Sequence, residues 1–562
     1  MTLFERILQA RGLDVGGSDA FLKPDYTKGH DPFLLPDMHK AVDRLVAARA
    51  KQERITIYGD YDIDGLTATT LLLEALTNFG FRFVETFIPN RFVEGYGMTV
   101  DAVERIAATG ANLIITVDCG SLSEKEIKRA AELGVDVIVT DHHNVAPIQP
   151  PAVAVINPKR LLADNPSYYK DLRLVKKNAK KQLYPFLDLP GVGVAFKLVQ
   201  ALQTKLDGIP FGQEKWLLDL VALGTVCDVV TLVDENRTHV YWGLKVLSKT
   251  RRPGLKALMA VSRVEPEKLN ARSLGFALGP RMNASGRLET AQHALEMLTT
   301  EDGMLALEKA ELLDAMNLER RTEQDRIFKE AIGKAEQYKY DPVLVVSGEG
   351  WSHGIIGIVA AKLLEKYKKP TYVLEELGEE SKGSARSYGD FSAADAIRAS
   401  DDIITKGGGH RLAAGVTMPT ACIDLFRKRV NEYFNSLDLP PQPPLLLPKE
   451  DVVVDDFSGV DESLIHDIAT LEPFGNGNPE PILKASEITV VDMRRMGNEG
   501  QHVKLTLRDK SRNTLQMIAF SADQAWFVEP GEFVSVWFQP SINEWQGVRR
   551  VEARLVRLER AN

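Results

Sequence analysis

The sequence predicts a multidomain α/β protein: a parallel-sheet domain, a smaller α/β domain joined to it by a long helix, and a C-terminal β-barrel. Three observations predict it. From Arg54 onward, short β-branched runs alternate with helical stretches, the signature of βαβ units in an open parallel sheet. A second alternation begins near Pro342, after a charged stretch (301–338) that carries no Gly or Pro between Met304 and Ile332. Beyond the proline-rich segment 439–448 the pattern changes to short alternating strands, as in a small barrel. At 562 residues the chain is in any case too long for one core.

Residues 1–50 read as a polar entry segment with turns at Lys23-Pro24-Asp25 and Leu35-Pro36-Asp37, then a helix over Met38–Ala50. Residues 51–300 form the first domain. A strand runs from Ile55 to a tip at Asp60–Asp64, and a helix starts near Leu66. Strands follow at 84–88, 113–117, 135–139 and 152–156, with a loop over 90–97 and a helix over 123–133. The stretch 212–300 is helical. Trp216–Leu223 is apolar nearly all round, hence buried, and ends near Gly224. Residues 301–338 are a long exposed connecting helix. Residues 339–440 hold a strand at 342–347, a helix from His353, a strand at 371–374 and a loop at Gly407-Gly408-Gly409-His410. The prolines of 439–448 make a stiff linker. Residues 449–562 hold strands at 502–508, 514–520, 532–538 and 548–558. Within them Trp537 and Phe538 are expected in the barrel core, and Trp545 in an exposed turn.

Hydrophobic content of 44% and charged content of 26% are those of a soluble globular protein. No apolar run approaches the roughly 18 residues needed to cross a bilayer. The first residues lack the basic and apolar regions of a signal peptide. A cytoplasmic location with no membrane association is expected. Three cysteines are too few for a disulfide framework. Cys119 and Cys227 adjoin aspartates of interest and are expected to be small buried wall residues. The net charge of -9 argues mildly against a nucleic-acid partner. Against that, Lys159–Lys181 carries eight basic residues and two acidic ones, either a solvated loop or a flap that guides an anionic strand. A carboxylate-rich metal site also lowers the formal sum without repelling an anion once cations are bound.

The chemistry concentrates at strand tips. Asp60, Asp62 and Asp64 follow the first strand, Asp118 and Cys119 the third, and Asp141-His142-His143 the fourth; Asp228 joins from the helical half. A lone Asp after a strand is more often a helix cap than a ligand, but three such tips in one sheet exceed what capping requires. Carboxylates converging with imidazoles would repel one another unless cations lay between them. An oxygen-rich set with one or two imidazoles suits Mg²⁺ or Mn²⁺ better than Zn²⁺. Two such ions roughly 4 Å apart form the clamp used in in-line phosphoryl transfer.

Asp60-Tyr61-Asp62-Ile63-Asp64-Gly65, Val117-Asp118-Cys119-Gly120 and Asp141-His142-His143 resemble the motifs of the DHH phosphoesterase superfamily, and Gly407–His410 resembles the signature of its companion DHHA1 domain. Further stretches extend the likeness over nearly the whole chain: 31–38, 89–97, 191–197, 279–287 and 471–475. Together they resemble the RecJ family of bacterial single-strand-specific DNA exonucleases.

The resemblance implies a DHH catalytic domain, a DHHA1 domain and an oligonucleotide-binding (OB) barrel. It also implies a 5′→3′ exonuclease that releases 5′-mononucleotides from single-stranded DNA in repair and recombination. Two Mn²⁺ or Mg²⁺ ions would be held by Asp62, Asp64, Asp118, His142 and Asp228, with Asp60 in the same motif. His143 would lie by the scissile phosphate. Arg91, Ser384 and Arg386 match positions for a terminal 5′-phosphate, and Arg281, Asn283 and Arg287 match contacts to the DNA backbone. His353, Gly408, Gly409 and His410 belong to the DHHA1 face. A monomer, with a single-strand-binding protein and a helicase as partners, is also implied.

Two departures stand out. Many superfamily members carry His where this chain has Tyr58, which leaves that coordination position to Asp60 or water. The basic stretch 159–186 is longer than the family pattern. Two rivals remain: a phosphodiesterase for very short RNA or cyclic dinucleotides, which the extra domain after residue 448 disfavours, and a scaffold that has lost its ligands, which the retained carboxylates disfavour.

Overall fold

The computed structural model describes residues 1–13, 18–164, 183–439, 447–497, 500–520, 522–545 and 547–560. Its first sheet is all parallel, in the order β2-β1-β3-β4-β5: β1 (Ile55–Tyr58), β2 (Val84–Phe87), β3 (Leu113–Val117), β4 (Asp136–Thr140) and β5 (Ala154–Ile156). Every residue of β1, β3 and β5 is buried. That is why their sequences are continuous apolar runs rather than alternating ones. Helices Met38–Lys51, Ile63–Asn78, Gly191–Leu202 and Leu218–Cys227 pack on one face. Val100–Ala108 and Glu124–Glu132 pack on the other. Strands β2 and β3 flank β1 on opposite sides, so the strand order reverses between β1 and β3. In open parallel sheets the crevice at such a switch point receives ligands. Asp60 and Asp118 follow the carboxyl ends of β1 and β3, and His142 follows that of the adjacent β4.

The second sheet has the order β6-β7-β8-β10-β9, from β6 (Leu344–Glu349), β7 (Thr371–Leu377), β8 (Glu380–Arg386), β9 (Lys406–Gly409) and β10 (Ala413–Pro419). Only β6 and β7 are parallel. A 33-residue helix, Gly303–Ala335, leads into it from the first domain. In the third sheet, β12 (Leu483–Met496), β13 (His502–Arg508), β14 (Thr514–Ala519), β16 (Val548–Arg560) and β15 (Phe533–Trp545) pair in that order. Pairing of β15 with β12 closes them into a five-stranded barrel, with β11 (Val452–Val454) added beside β12. Phe538 is buried in its core, as expected. Trp537 is buried too, but outside that core: Lys484 and Arg557 lie over its ring, and its Nε1 donates to Glu450 at 2.8 Å.

Several expectations are corrected. The helix after β1 starts at Ile63, not Leu66, because Asp62 is its N-cap; Asp64 therefore sits in a helical turn and not on a strand tip. The helix expected to stop near Gly224 runs to Cys227 and makes Asp228 its C-cap. Gly407–Gly409 is not a loop: Lys406–Gly409 is the edge strand β9, hydrogen-bonded to β10. The connecting helix is only half exposed, since Ala306, Ala310, Leu313, Ile327 and Ala331 are buried. Trp545 is the last residue of β15, its backbone paired with Val548. The entry segment also carries a helix that was not expected there. Helix Leu3–Ala10, capped reciprocally by Thr2 and Glu5, inserts Ile7 and Leu8 into the barrel core, and Arg11 pairs with Asp451 at 2.8 Å. Positions 440–446 of the proline linker and 165–182 of the basic stretch lie outside the described residues.

Candidate two-metal active site

The connection from β1 to its helix is tight enough to require glycine. A Cβ on Gly65 would lie 2.6 Å from the carbonyl oxygen of Asp60. Asp62 caps the helix by accepting from the Gly65 N–H at 3.1 Å. Asp64, one turn in, accepts from the backbone N–H groups of Gly191 at 2.6 Å and Val192 at 2.8 Å. Those amides open the Gly191–Leu202 helix, whose unpaired N–H groups and dipole favour an anion.

After β3 the backbone turns sharply: Asp118 has φ 61° and Gly120 φ 107°. The Asp118 N–H donates to the Thr140 carbonyl at 3.0 Å, which ties the tips of β3 and β4 together. Asp141 organises the next tip. Its Oδ1 accepts from the backbone N–H of His142 (2.7 Å) and of His143 (3.0 Å) and from His143 Nδ1 (2.9 Å), while Oδ2 accepts from the Ser121 N–H (3.0 Å). His142 is the hub of the site: its Nε2 lies 3.1 Å from Asp118 Oδ1, 3.6 Å from Asp228 Oδ2 and 3.8 Å from Asp64 Oδ2.

Three sets of donor atoms come within 4.8 Å of one another: Asp60, Asp62 and Asp118; Asp64, His142 and Asp228; and Asp118, His142 and His143. Asp118 links the first set to the third, and His142 links the third to the second. Burial, and after it the neighbouring Asp62, pushes the Asp60 carboxyl up to about 8 and the Asp64 carboxyl up to about 7. Burial and Asp64 push Asp228 up to about 9, and burial and the surrounding carboxylates raise Asp118 strongly. Burial, assisted by His143, holds His142 down to about 3, a neutral ring suited to ligation. For His143, burial favours the neutral ring but is outweighed by the hydrogen bond with Asp141, so its pKa is raised; the same bond depresses that of Asp141.

Asp60 Oδ1, Asp118 Oδ1, His142 Nε2 and Asp228 Oδ2 are all buried with no hydrogen-bond partner. Buried polar atoms are almost always satisfied, so four orphans pointing into one space fit divalent cations. Mostly oxygen donors with an imidazole match Mn²⁺ or Mg²⁺. Tyr58 does not take part. It packs against Phe87 in the opposite face of the sheet, and its hydroxyl donates to the Gly97 carbonyl at 3.0 Å.

A basic cluster faces these carboxylates. Arg91 lies over the Tyr61 ring at 4.4 Å. Burial lowers Arg287 to about 10, helped by Arg91, Arg320 and Arg386; burial and Arg91 likewise lower Arg386. Burial, Lys382 and Arg91 hold His353 down. Arg386 Nη1 donates to Ser384 Oγ at 3.2 Å, and a Cβ on Gly357 would lie 3.0 Å from both side chains. Among the described residues none of Arg91, Arg287, Arg320 and Arg386 has a carboxylate within ion-pair distance, so the cluster is poised for an external anion. His410 reaches the loop after the histidine pair, its Nδ1 3.3 Å from Asn144 Nδ2. Gly408 and Gly409 lie beside it on β9. Arg281 stands apart, paired with Asp314 at 2.7 Å.

Asn283, Arg287 and Arg320 line a cavity of about 1270 Å³ between the helical half of the first domain and the barrel. Reading the sequence alone missed Gly191 and Val192 as anchors of Asp64, Arg320, and Tyr96, whose ring meets His143 edge-on at 5.6 Å. Gly191 and Tyr96 sit inside motifs that the sequence displays, whereas Arg320 is one basic residue among many on a charged helix.

Family models match along the chain: the DHH family N-terminal domain over residues 54–225, the DHHA1 domain over 340–436 and the RecJ OB domain over 452–557. The single-stranded-DNA-specific exonuclease RecJ of Escherichia coli (strain K12) is 33% identical, covering 92% of this chain and 89% of the relative. That of Bacillus subtilis (strain 168) is 37% identical over 98% of this chain, which spans only 66% of that relative. A crystal structure of Thermus thermophilus RecJ in complex with Mn²⁺ superposes with a TM-score of 0.82 at 28% identity, covering all of this chain and 76% of that one. The chain belongs to the RecJ family of DHH phosphoesterases.

Proposed function

We propose that this chain is a metal-dependent exonuclease specific for single-stranded DNA, working 5′→3′ and releasing 5′-mononucleotides. The observation that carries the reading is the set of orphaned buried donors on Asp60, Asp118, His142 and Asp228, facing an arginine cluster with no carboxylate within ion-pair distance among the described residues. Asp62, Asp64, Asp118, His142 and Asp228, with Asp60, would hold two Mn²⁺ or Mg²⁺ ions. When bound, these would neutralise charge on the phosphate and acidify the attacking water. His143, with Nδ1 fixed by Asp141, keeps Nε2 for the scissile phosphate and moves a proton there. Arg91, Arg386 and Ser384 hold the terminal 5′-phosphate, which sets the cut one nucleotide from the end. Asn283, Arg287 and the 407–410 edge hold the adjoining backbone, and the strand runs on through the cavity toward the barrel. Arg281 keeps an outer phosphate contact once Asp314 releases it.

The same reading makes the protein a cytoplasmic monomer that acts in repair and recombination beside a helicase and a single-strand-binding protein. No helix among the described residues is long and apolar enough to cross a membrane. The test supplies Mn²⁺ with 5′-phosphorylated single strands, duplexes and dinucleotides to the wild-type protein and to Asp118→Ala. We expect mononucleotides from single strands with the wild type only. Cleavage confined to dinucleotides would replace the reading with that of a short-substrate phosphodiesterase.

A further inference from the structure

The residue after Asp228 is in a conformation it should avoid. Val229 has φ 61°, and it is β-branched and 64% exposed. A left-handed backbone ends many helices, but glycine normally supplies it; for a bulky residue it is unfavourable and persists only where neighbours impose it. Here the imposing neighbours come from far along the chain, on the turn Leu471–Asn478. Asn476 Nδ2 donates to the Val229 carbonyl at 2.9 Å, and the Asn476 carbonyl accepts from the Leu232 N–H at 2.7 Å. The turn fits only because it carries glycine. A Cβ on Gly475 would lie 2.7 Å from Leu232 Cδ1, and one on Gly477 3.1 Å from Thr231 Cβ.

The turn is itself held down by Arg237, which is 2% exposed. Its guanidinium donates to the carbonyls of Leu471 (2.8 Å), Glu472 (2.9 Å) and Phe21 (3.0 Å) and lies over the Phe21 ring at 3.8 Å. On the far side, Asp188 accepts from the Thr231 N–H at 3.0 Å. The segment that follows Asp228 is thus gripped from both sides, and one grip belongs to the C-terminal region.

We propose that Asn476 is a positioning residue for Asp228: by holding Val229 in the left-handed conformation, it aims the Asp228 carboxylate at His142 and Asp64, so that docking of the C-terminal region completes one cation site. This rests on the reading of Asp228 as a cation ligand. If Val229 relaxes to an extended conformation, the helix loses its C-cap geometry and the carboxylate leaves the set. The barrel then acts on the chemistry as well as on the path of the strand.

The experiment is calorimetric titration of the full chain with Mn²⁺, for wild type, N476A, V229G, the double variant and D228N, together with unfolding temperatures in chelator. N476A should bind Mn²⁺ about tenfold more weakly at one site, equivalent to about 1.4 kcal/mol. Its kcat should also fall on a 5′-phosphorylated dinucleotide, a substrate too short to reach the barrel. Where glycine replaces Val229 there is no strain to hold, so loss of Asn476 should cost less than threefold. A purely structural role would lower the chelator-state unfolding temperature and leave Mn²⁺ affinity unmoved. Wild-type affinity in N476A beside lost affinity in D228N overturns the proposal and leaves Asp228 a ligand; undiminished affinity in D228N overturns both. An equal loss from N476A with and without the V229G substitution also overturns it.

Discussion

The backbone N–H of Gly191 donates to Asp64 at 2.6 Å, and a Cβ placed on Gly191 would lie 2.7 Å from the Cβ of Asp118 and 2.8 Å from its Oδ1. One residue thus holds one proposed ligand and leaves room for another. Gly191→Ala must move Asp118, the donor shared between the sets of groups, or withdraw the helix that binds Asp64. We expect at least a hundredfold loss of kcat with Mn²⁺, since misplacing catalytic groups by about 1 Å has that effect. The overall fold should persist, because the new methyl replaces no core contact. Steady-state rates and circular dichroism of the variant check both halves; a rate within threefold of wild type would remove Gly191 from the site.

Metal-free stability should fall as pH rises. Asp60, Asp64 and Asp228 keep protons in the folded chain up to about 8, 7 and 9, against an ordinary value of 3.8. Groups raised on folding stabilise fully below pH 3.8, and that contribution is lost as pH climbs through 7 to 9. His143, also raised, acts in the same direction. In chelator the unfolding temperature should therefore drop between pH 6 and pH 9, and saturating Mn²⁺ should abolish the drop. Asp118→Asn, which removes a carboxyl that burial and its neighbours force to keep its proton on folding, should unfold at a higher temperature than wild type in chelator at pH 9 and gain little from Mn²⁺. A chelator-state temperature flat across this range would contradict the electrostatic account of the site.

The parallel strands and their tips were legible because buried parallel strands leave apolar runs that end abruptly at charge, as Leu113–Val117 does before Asp118; the order of the strands in the sheet was not. The error at Asp64 arose because a capping Asp at position 62 looks, one residue at a time, like more of the strand tip; only the hydrogen bond to Gly65 separates cap from strand. Asp228 was legible as a carboxylate near the site but not as a helix C-cap, since Val229 gives no glycine signal for the end of the helix. Helix Leu3–Ala10 was invisible as a part of the barrel because its partners lie more than 440 residues away, a separation that no local pattern encodes.

Recognition of the 5′ end should be separable from catalysis. Arg386 sits on β8 of the second sheet with Ser384 beside it, whereas the carboxylates belong to the first. Arg386→Ala should lower kcat/KM for 5′-phosphorylated strands by roughly 1.5–3 kcal/mol, the range for hydrogen bonds to charged groups, or about tenfold to a hundredfold. Strands with a 5′-hydroxyl should be affected much less, so the preference for a phosphate collapses. Arg91→Ala should act in the same direction, and the pair should be less than additive because both would grip one group. Equal losses on both kinds of end would place Arg386 in general strand binding instead.

The cavity makes a prediction that depends on strand length. Phe276 is 78% exposed on the wall of the first domain, with the Arg272 guanidinium 5.6 Å from its ring; Phe520, 65% exposed, lines the barrel side. Two aromatic rings left open to one cavity suit base stacking, worth roughly 1–3 kcal/mol per base. Phe276→Ala should raise KM for strands long enough to fill the cavity by about tenfold, and the penalty should shrink as the substrate shortens toward a dinucleotide. Because no phosphate contact is lost, the dependence of binding on salt should keep its slope. Arg320→Ala, on the same wall, should do the reverse: a weaker salt dependence, lower by about one counterion, at every strand length that reaches it. A Phe276→Ala penalty that is the same for a dinucleotide and for a long strand would mean that the ring supports the site and not the strand.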